Sequence, residues 1–249
     1  MNVKNIETFF RYEFKYFISD KLSNAILKDS VDFMKIDQFA EKNIDEGYFV
    51  RSLYFDNQDY DNFFEKVDGV KTRKKFRLRT YSKKFDDKTL IFLEMKGRKK
   101  DRIFKERIKI ENEDLEYFYS LKNLENLNLK YKNNSLINDF VYNVFRKRIK
   151  PKILIDYNRK PLINKNGLYF RLTFDNNLVS SKSTDLFNEM GFSFPMKYKP
   201  GNSILEVKFE RSMPAWFHRI IQSYDLRRES ISKFVLGVCN CKIREETSD

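Results

Sequence analysis

Four cations stand two apart in "RKKFRLRTYS": Arg73, Lys75, Arg77 and Arg79. Glu-x-Lys occurs three times, as Glu13 and Lys15, Glu94 and Lys96, and Glu206 and Lys208. Lys105, Arg107 and Lys109 repeat the two-residue step, and Arg159 and Arg171 stand in "IDYNR" and "FRLTFD". On a strand, residues two apart share a face. Each stretch therefore gathers its charges on one side. Arginine and lysine grip phosphate oxygens, arginine with a forked contact. Carboxylates among them either hold a divalent cation or pair with the cations across strands. The chemistry in view is that of a phosphorylated substrate.

The elements that carry these residues alternate with period two. Eight strands are predicted, over 10–18, 49–56, 73–82, 90–97, 103–110, 152–159, 168–175 and 203–210. Phe76 and Leu78 lie opposite the cations of the third strand; Leu93 and Met95 lie opposite Glu94 and Lys96. Most of the strands share one design, an apolar face and a charged face. Helical stretches separate them, the first opened by a Ser19/Asp20 cap signal. Another begins near Pro214, and a last one runs from "SISKF" to "CNCK".

Cations two apart on a strand lie about 7 Å from one another. At an effective dielectric of about 20, each such pair repels by roughly 2 kcal/mol. Water would screen the rows on an open sheet. A concave interior would need a polyanion. The second arrangement is a closed or nearly closed eight-stranded barrel with its cationic faces inward and its apolar faces turned out onto the helices.

Bulk composition agrees. The chain has 249 residues, 49 basic and 36 acidic, for a net charge of +13. That balance points to an anionic partner. Twenty-five Phe and 14 Tyr supply a core, which excludes a disordered basic tail. No Pro- or Gly-rich linker interrupts the chain, so one domain over 1–249 is expected. Cys239 and Cys241 are too few for a zinc site or disulfide framework, in keeping with a cytoplasmic protein. No signal peptide or membrane-spanning run is read in the sequence. No P-loop motif is present. The one histidine, His218, follows Trp216 and Phe217 and reads as a packing or surface residue.

"RYEFKYFI", "VRSLYFD", "RKKFRLRTYS", "LEMKGR", "KERI", "IDYNR", "FRLTFD", "ILEVKF" and "SKF" occur in that order from about 10 to 237. The ordered set resembles the VTC (vacuolar transporter chaperone) polyphosphate polymerase domain, of the CYTH or triphosphate tunnel metalloenzyme superfamily. The resemblance implies an α+β fold, an eight-stranded antiparallel β tunnel closed as a barrel with a cationic interior and surrounding helices, and ATP-dependent synthesis of inorganic polyphosphate with Mn2+ or Mg2+. It implies catalytic roles for Arg77, Arg79, Lys96 and Glu206. It implies phosphate contacts from Lys15, Arg77, Arg79, Lys96, Tyr157, Arg159, Arg171, Ser232 and Lys233, with Lys105, Arg107 and Lys208 sharing the charged faces. Glu206 matches the metal ligand, and Glu13 and Glu94 are further carboxylates for that role. Ser230 stands where some members carry a base two residues before Ser-Lys.

Hydrolytic members of the superfamily resemble one another in a strand-one Glu-x-Glu-x-Lys. This chain has Arg11-x-Glu13-x-Lys15. Fewer carboxylates mean less capacity to activate water, whereas a phosphate nucleophile is already ionised. The resemblance therefore favours a polymerase, whose partners are ATP and inorganic polyphosphate. A triphosphatase and a non-catalytic polyphosphate-binding module are the alternatives. Nucleic acid is not expected as a partner, because the aromatics lie opposite the cations. Eukaryotic relatives work beside membrane subunits, so a separate membrane partner is compatible with this chain.

Overall fold

A computed structural model describes residues 12–38, 40, 47–100, 102–120, 124–132, 134–167, 169–187 and 196–241. Residues 10 and 11 of the first expected strand, Arg11 among them, lie outside these.

All eight expected strands form. They are β1 (Tyr12–Ser19), β3 (Tyr48–Asp56), β4 (Thr72–Thr80), β5 (Ile91–Lys99), β6 (Arg102–Ile110), β7 (Lys150–Asn164), β8 (Phe170–Lys182) and β10 (Asn202–Phe209). Two short strands join them, β2 (Met34–Ile36) and β9 (Met196–Lys197). The helices are α1 (Asp20–Ser30), α2 (Asp61–Val67), α3 (Leu124–Lys130), α4 (Ser135–Lys147), α5 (Ala215–Ser223) and α6 (Lys233–Asn240), with a 3-10 segment at Asn112–Phe118. Ser19 caps α1, its hydroxyl accepting from the Leu22 N–H at 3.2 Å. Asn134 caps α4 through the N–H groups of Leu136 and Ile137. Each cap satisfies donors that the helix cannot.

The strands form one sheet in the order β1-β10-β8-β7-β3-β4-β5-β6, with β2 added to β7 and β9 to β8; every pairing is antiparallel. The expected closed barrel is not found. Among the described residues no ladder joins β1 to β6, so the sheet keeps two edges. Side chains span the interval instead: Lys96 of β5 reaches Glu13 of β1 at 3.3 Å. The sheet is therefore curled enough for opposite flanks to touch.

The convex face is apolar, as the alternation requires. Leu53, Phe55, Phe76, Leu78, Leu93 and Met95 are buried against α3, α4 and the 3-10 segment. Phe140 of α4 is fully buried, its ring meeting Phe55, Phe76 and Phe118. On the other flank Tyr16, Leu172, Phe174, Leu205 and Val207 are buried in a cluster with Ile26 of α1 and Phe217 of α5. His218 is exposed on α5.

The concave face departs from a wholly charged interior. Val50, Tyr54, Ile153, Ile155, Tyr157 and Ile204 point inward and bury Phe234 and Val238 of α6. Helix α6 thus occupies one end of the concavity. Gly237 permits its approach: a Cβ there would stand 2.8 Å from Ile155 Cδ1 and 3.0 Å from Ile153 Cγ2. A β-bulge supports this division. The β7–β8 register shifts between Asp156 and Asn158, and Asn177 takes a left-handed φ of 51°. Asparagine tolerates that conformation, and the extra residue inverts the facing of β8. Arg171, Thr173 and Asp175 face inward before the bulge; Leu178 and Ser180 do so after it, where they meet the α6 end.

Candidate active site

Strand alternation and curl deliver the charged side chains to the part of the concave face that α6 leaves open. They form three centres, each built around a buried carboxylate.

The first is Glu94, 1% exposed. Its Oε2 accepts from Arg77 Nε (2.8 Å) and Nη2 (2.6 Å) and lies 3.7 Å from Arg79 Nη1. Its Oε1 lies 2.9 Å from Lys105 Nζ and 3.6 Å from Arg107 Nε. Burial alone would raise its pKa; Arg77, Arg79 and Lys105 outweigh burial and hold it well below the carboxylate range. Four cations on one carboxylate leave a strong positive excess. Further contacts aim the arginines. Arg77 donates to Tyr54 Oη at 2.8 Å, and Arg79 donates to Ser52 Oγ at 3.2 Å and Tyr157 Oη at 3.3 Å. Burial raises the Tyr54 pKa and is overcome by Arg77 and Arg79, leaving the phenol below its usual value.

The second centre joins Glu206 and Glu13. Glu206 meets Lys208 at 2.7 Å and Lys15 at 3.8 Å; Glu13 meets Lys15 at 3.1 Å and Lys96 at 3.3 Å. Burial and the charge of Glu206 push Glu13 up, yet Lys96, Lys15 and Lys208 bring it down to about 2. Both carboxylates are therefore ionised at neutral pH. Among the described residues no group of three His, Cys, Asp or Glu side chains is placed to hold a metal. Two carboxylates nevertheless suit Mg2+ or Mn2+, which is held by one or two carboxylates together with substrate phosphates. Glu206 and Glu13 fit that donor set; Glu94, saturated by cations, is the poorer donor.

The third is Asp175, fully buried between β8 and α6. Arg159 donates to both its oxygens at 2.6 and 2.7 Å, and Lys233 donates to Oδ2 at 2.5 Å. Arg159 and Lys233 also lie over the Tyr157 ring. The predicted Lys233 is thus at the concave face, where it also ties α6 to the sheet. Ser232 is the α6 N-cap residue without a side-chain capping bond. Arg171 stands apart, paired with Asp37 at 2.9 Å.

The concave face therefore brings together Lys15, Arg77, Arg79, Lys96, Lys105, Arg107, Tyr157, Arg159, Lys208, Lys233, Glu13, Glu94 and Glu206. Sequence reasoning missed Asp175, Tyr54 and Ser52. Asp175 was visible in "FRLTFD" on the same face as Arg171, and Tyr54 alternates with Ser52. At the end of β4 opposite Arg73, Tyr48, Tyr81 and Phe92 form an aromatic mouth, with Tyr81 5.7 Å from Tyr48 and 6.3 Å from Phe92. Arg107 stacks on Phe92 at 3.4 Å.

The fold is thus a curled antiparallel sheet whose concave face carries cation-ringed carboxylates. The VTC domain family matches residues 10–242, and the chain belongs to it. No curated protein matches the chain. Among solved structures, a Bacillus halodurans protein described as a "putative adenylate cyclase" aligns over 90% of this chain and 94% of its own, with 11% identity and a TM-score of 0.51. A Hippeastrum protein described as a "putative adenylyl cyclase" with dominant triphosphatase activity aligns over 92% and 95%, with 13% identity and a TM-score of 0.49. At 11% identity the Bacillus halodurans likeness speaks to fold alone. Among the described residues no helix is long and apolar enough to cross a membrane.

Proposed function

We propose that this protein is a metal-dependent polyphosphate polymerase that transfers the γ-phosphate of ATP to a growing inorganic polyphosphate chain, in the cytoplasm. The observation that carries the reading is the Glu94 cluster. Arg77, Arg79, Lys105 and Arg107 converge on one buried carboxylate, which orders them without neutralising them. A triphosphate beside them meets prepaid geometry, and phosphoryl transfer is chiefly positioning and charge stabilisation.

The aromatic mouth supports a nucleotide as donor, since Tyr48, Tyr81 and Phe92 offer stacking surface for a base where Arg79 begins the cation row. An oxygen of the terminal acceptor phosphate attacks the γ-phosphorus. The bond from γ-phosphorus to the β,γ-bridging oxygen breaks, and ADP carries that oxygen away. Arg77 and Arg79 bind the oxygens on which charge gathers, while Lys15, Lys96 and Lys208 hold the Glu206 side. Glu206 and Glu13 would hold Mn2+ or Mg2+, which supplies charge neutralisation on the phosphate oxygens. Among the described residues the concave face offers no histidine and no free carboxylate as general base. An already ionised phosphate acceptor needs none, whereas water would.

Incubating the pure protein with ATP and Mn2+ or Mg2+ tests the proposal. A polyphosphate ladder on a gel is expected. Free phosphate alone would assign the protein as a triphosphatase; tight polyphosphate binding without turnover would make it a binding module.

A further inference from the structure

Thr173 stands on the concave face of β8 between Arg171 and Asp175, 1% exposed. Its Oγ1 is buried and, among the described residues, has no hydrogen-bond partner. A buried hydroxyl in that state calls for a reason. The neighbours narrow the choice of acceptor. Directly opposite on β7 is Pro161, whose side chain has no polar atom. Directly opposite on β10 is Glu206. Side chains so paired have Cβ atoms about 5 Å apart, whereas residues two apart on one strand stand about 7 Å apart. Asp175, the next inward acid on β8, is saturated, because Arg159 engages both its oxygens and Lys233 engages one. Glu206 is less fully engaged. Its Oε1 meets Lys208 at 2.7 Å, but its Oε2 lies 3.8 Å from Lys15, beyond hydrogen-bond length. Lys15 is committed elsewhere, to Glu13 at 3.1 Å and to the Ile231 carbonyl at 3.1 Å.

From this geometry we infer that Thr173 is a positioning residue for Glu206, its hydroxyl donating to that carboxylate when phosphate is bound. The inference rests on the metal-dependent reading of the site and adds a residue to it. Lys208 and Lys15 are cations that a phosphate chain draws to itself. As they turn toward phosphate oxygens, Glu206 loses its donors. A rotation about the Cα–Cβ bond of Thr173 brings the hydroxyl onto the carboxylate in their place. One oxygen of Glu206 is then fixed, and the other is left for Mn2+ or Mg2+. A hydroxyl suits this post better than a third cation would. It orients the carboxylate without cancelling the negative charge that attracts the metal. Hydrogen bonds from outside the ligand set commonly orient metal-binding carboxylates in this way. The strands keep Thr173 in position, since β8 is paired on both sides at this residue, with Pro161 of β7 and Glu206 of β10.

The test compares the full chain as wild type, Thr173→Val and Thr173→Ser. Mn2+ binding is read by electron paramagnetic resonance with a non-hydrolysable triphosphate present. Stability is read by denaturant unfolding without ligand. Valine keeps the shape and removes the hydroxyl; serine keeps the hydroxyl. Thr173→Val is expected to weaken Mn2+ binding by at least about tenfold. Its unfolding midpoint should hold or rise, because an unpaired buried hydroxyl is gone. Thr173→Ser should bind Mn2+ as wild type does. A role in packing alone predicts the opposite order, with serine the damaged variant and valine the silent one. Wild-type Mn2+ affinity in Thr173→Val, or a folded serine variant as weak as valine, would overturn the inference. So would a valine variant that loses triphosphate affinity equally without metal, because the hydroxyl would then serve phosphate. A wild type that binds no Mn2+ would overturn the metal reading and the inference together. Free phosphate in place of polymer from ATP would sink the polymerase alone, since Mn2+ binding is measured without turnover.

Discussion

Arg77 donates twice to one oxygen of Glu94, at 2.8 and 2.6 Å, while the other oxygen faces Lys105 at 2.9 Å. A carboxylate engaged on both sides is an organiser of cations. Glu94→Gln should cost about 3 kcal/mol in denaturant unfolding, because it leaves buried cations uncompensated. Inorganic triphosphate should restore part of the loss. The acid limb should change too. The folded pKa of Glu94 lies below the ordinary 4.5, so its contribution is complete above that pH and disappears as pH falls toward the folded value. The variant should show a flatter acid slope.

Arg77→Ala with Arg79→Ala should abolish turnover and the thermal stabilisation given by ATP, while the circular dichroism of the sheet persists. Removing two cations from a crowded row relieves repulsion, but Glu94 keeps only Lys105 and Arg107. A modest fall in melting temperature is therefore expected, and a rise would show that repulsion dominates.

Lys75 yields a proton-linkage experiment. Burial lowers its pKa to about 7; Asp56 and Glu65 oppose, and Arg73 and Lys66 add to the lowering. Between there and the ordinary 10.5 the unfolded chain binds a proton that the folded chain lacks, so stability should rise with pH across that window. A phosphate chain beside the ammonium raises its pKa again. Polyphosphate binding near pH 8 should take up a proton, read as a dependence of calorimetric enthalpy on buffer ionisation. Lys75→Met should remove the uptake.

Asp175→Asn should loosen α6. The substitution leaves Arg159 and Lys233 without their carboxylate, at a cost of about 3 kcal/mol. Hydrogen exchange in α6 should accelerate more than in α4, which packs on the opposite face.

Glu206→Gln and Glu13→Gln should each raise the Mn2+ or Mg2+ concentration needed for half-maximal turnover, whereas Glu94→Gln should lower the turnover at saturating metal. Titrating the metal against each variant separates these roles.

The sheet was legible because alternation is local: Phe76 and Leu78 against Arg77 and Arg79 announce both the strand and its facing. That the charged residues share one face was legible for the same reason, aided by the ordered family motifs. Closure was not legible, since strand pairing at β1 and β6 depends on partners far apart in the chain. Nor was the α6 seat. Ile153 and Ile155 read as one flank of an ordinary strand, and nothing local says that a helix 80 residues later lies on them. The bulge at Asn177 inverts the pattern beyond "FRLTFD", which is why the predicted strand stopped at 175 whereas β8 runs to Lys182. Asp175 escaped notice because a buried acid is recognised by its partners, and Lys233 reaches it across 58 positions.

Helix α6, lodged on Ile153 and Ile155 through Gly237, covers one end of the concave face. On the proposed chemistry, incoming ATP and spent ADP pass the aromatic mouth at the other end, while the lengthening polymer stays on the cations between. An enzyme so arranged can exchange nucleotides without releasing its product. Early in the reaction, long molecules should accumulate beside untouched ATP, with few short ones between.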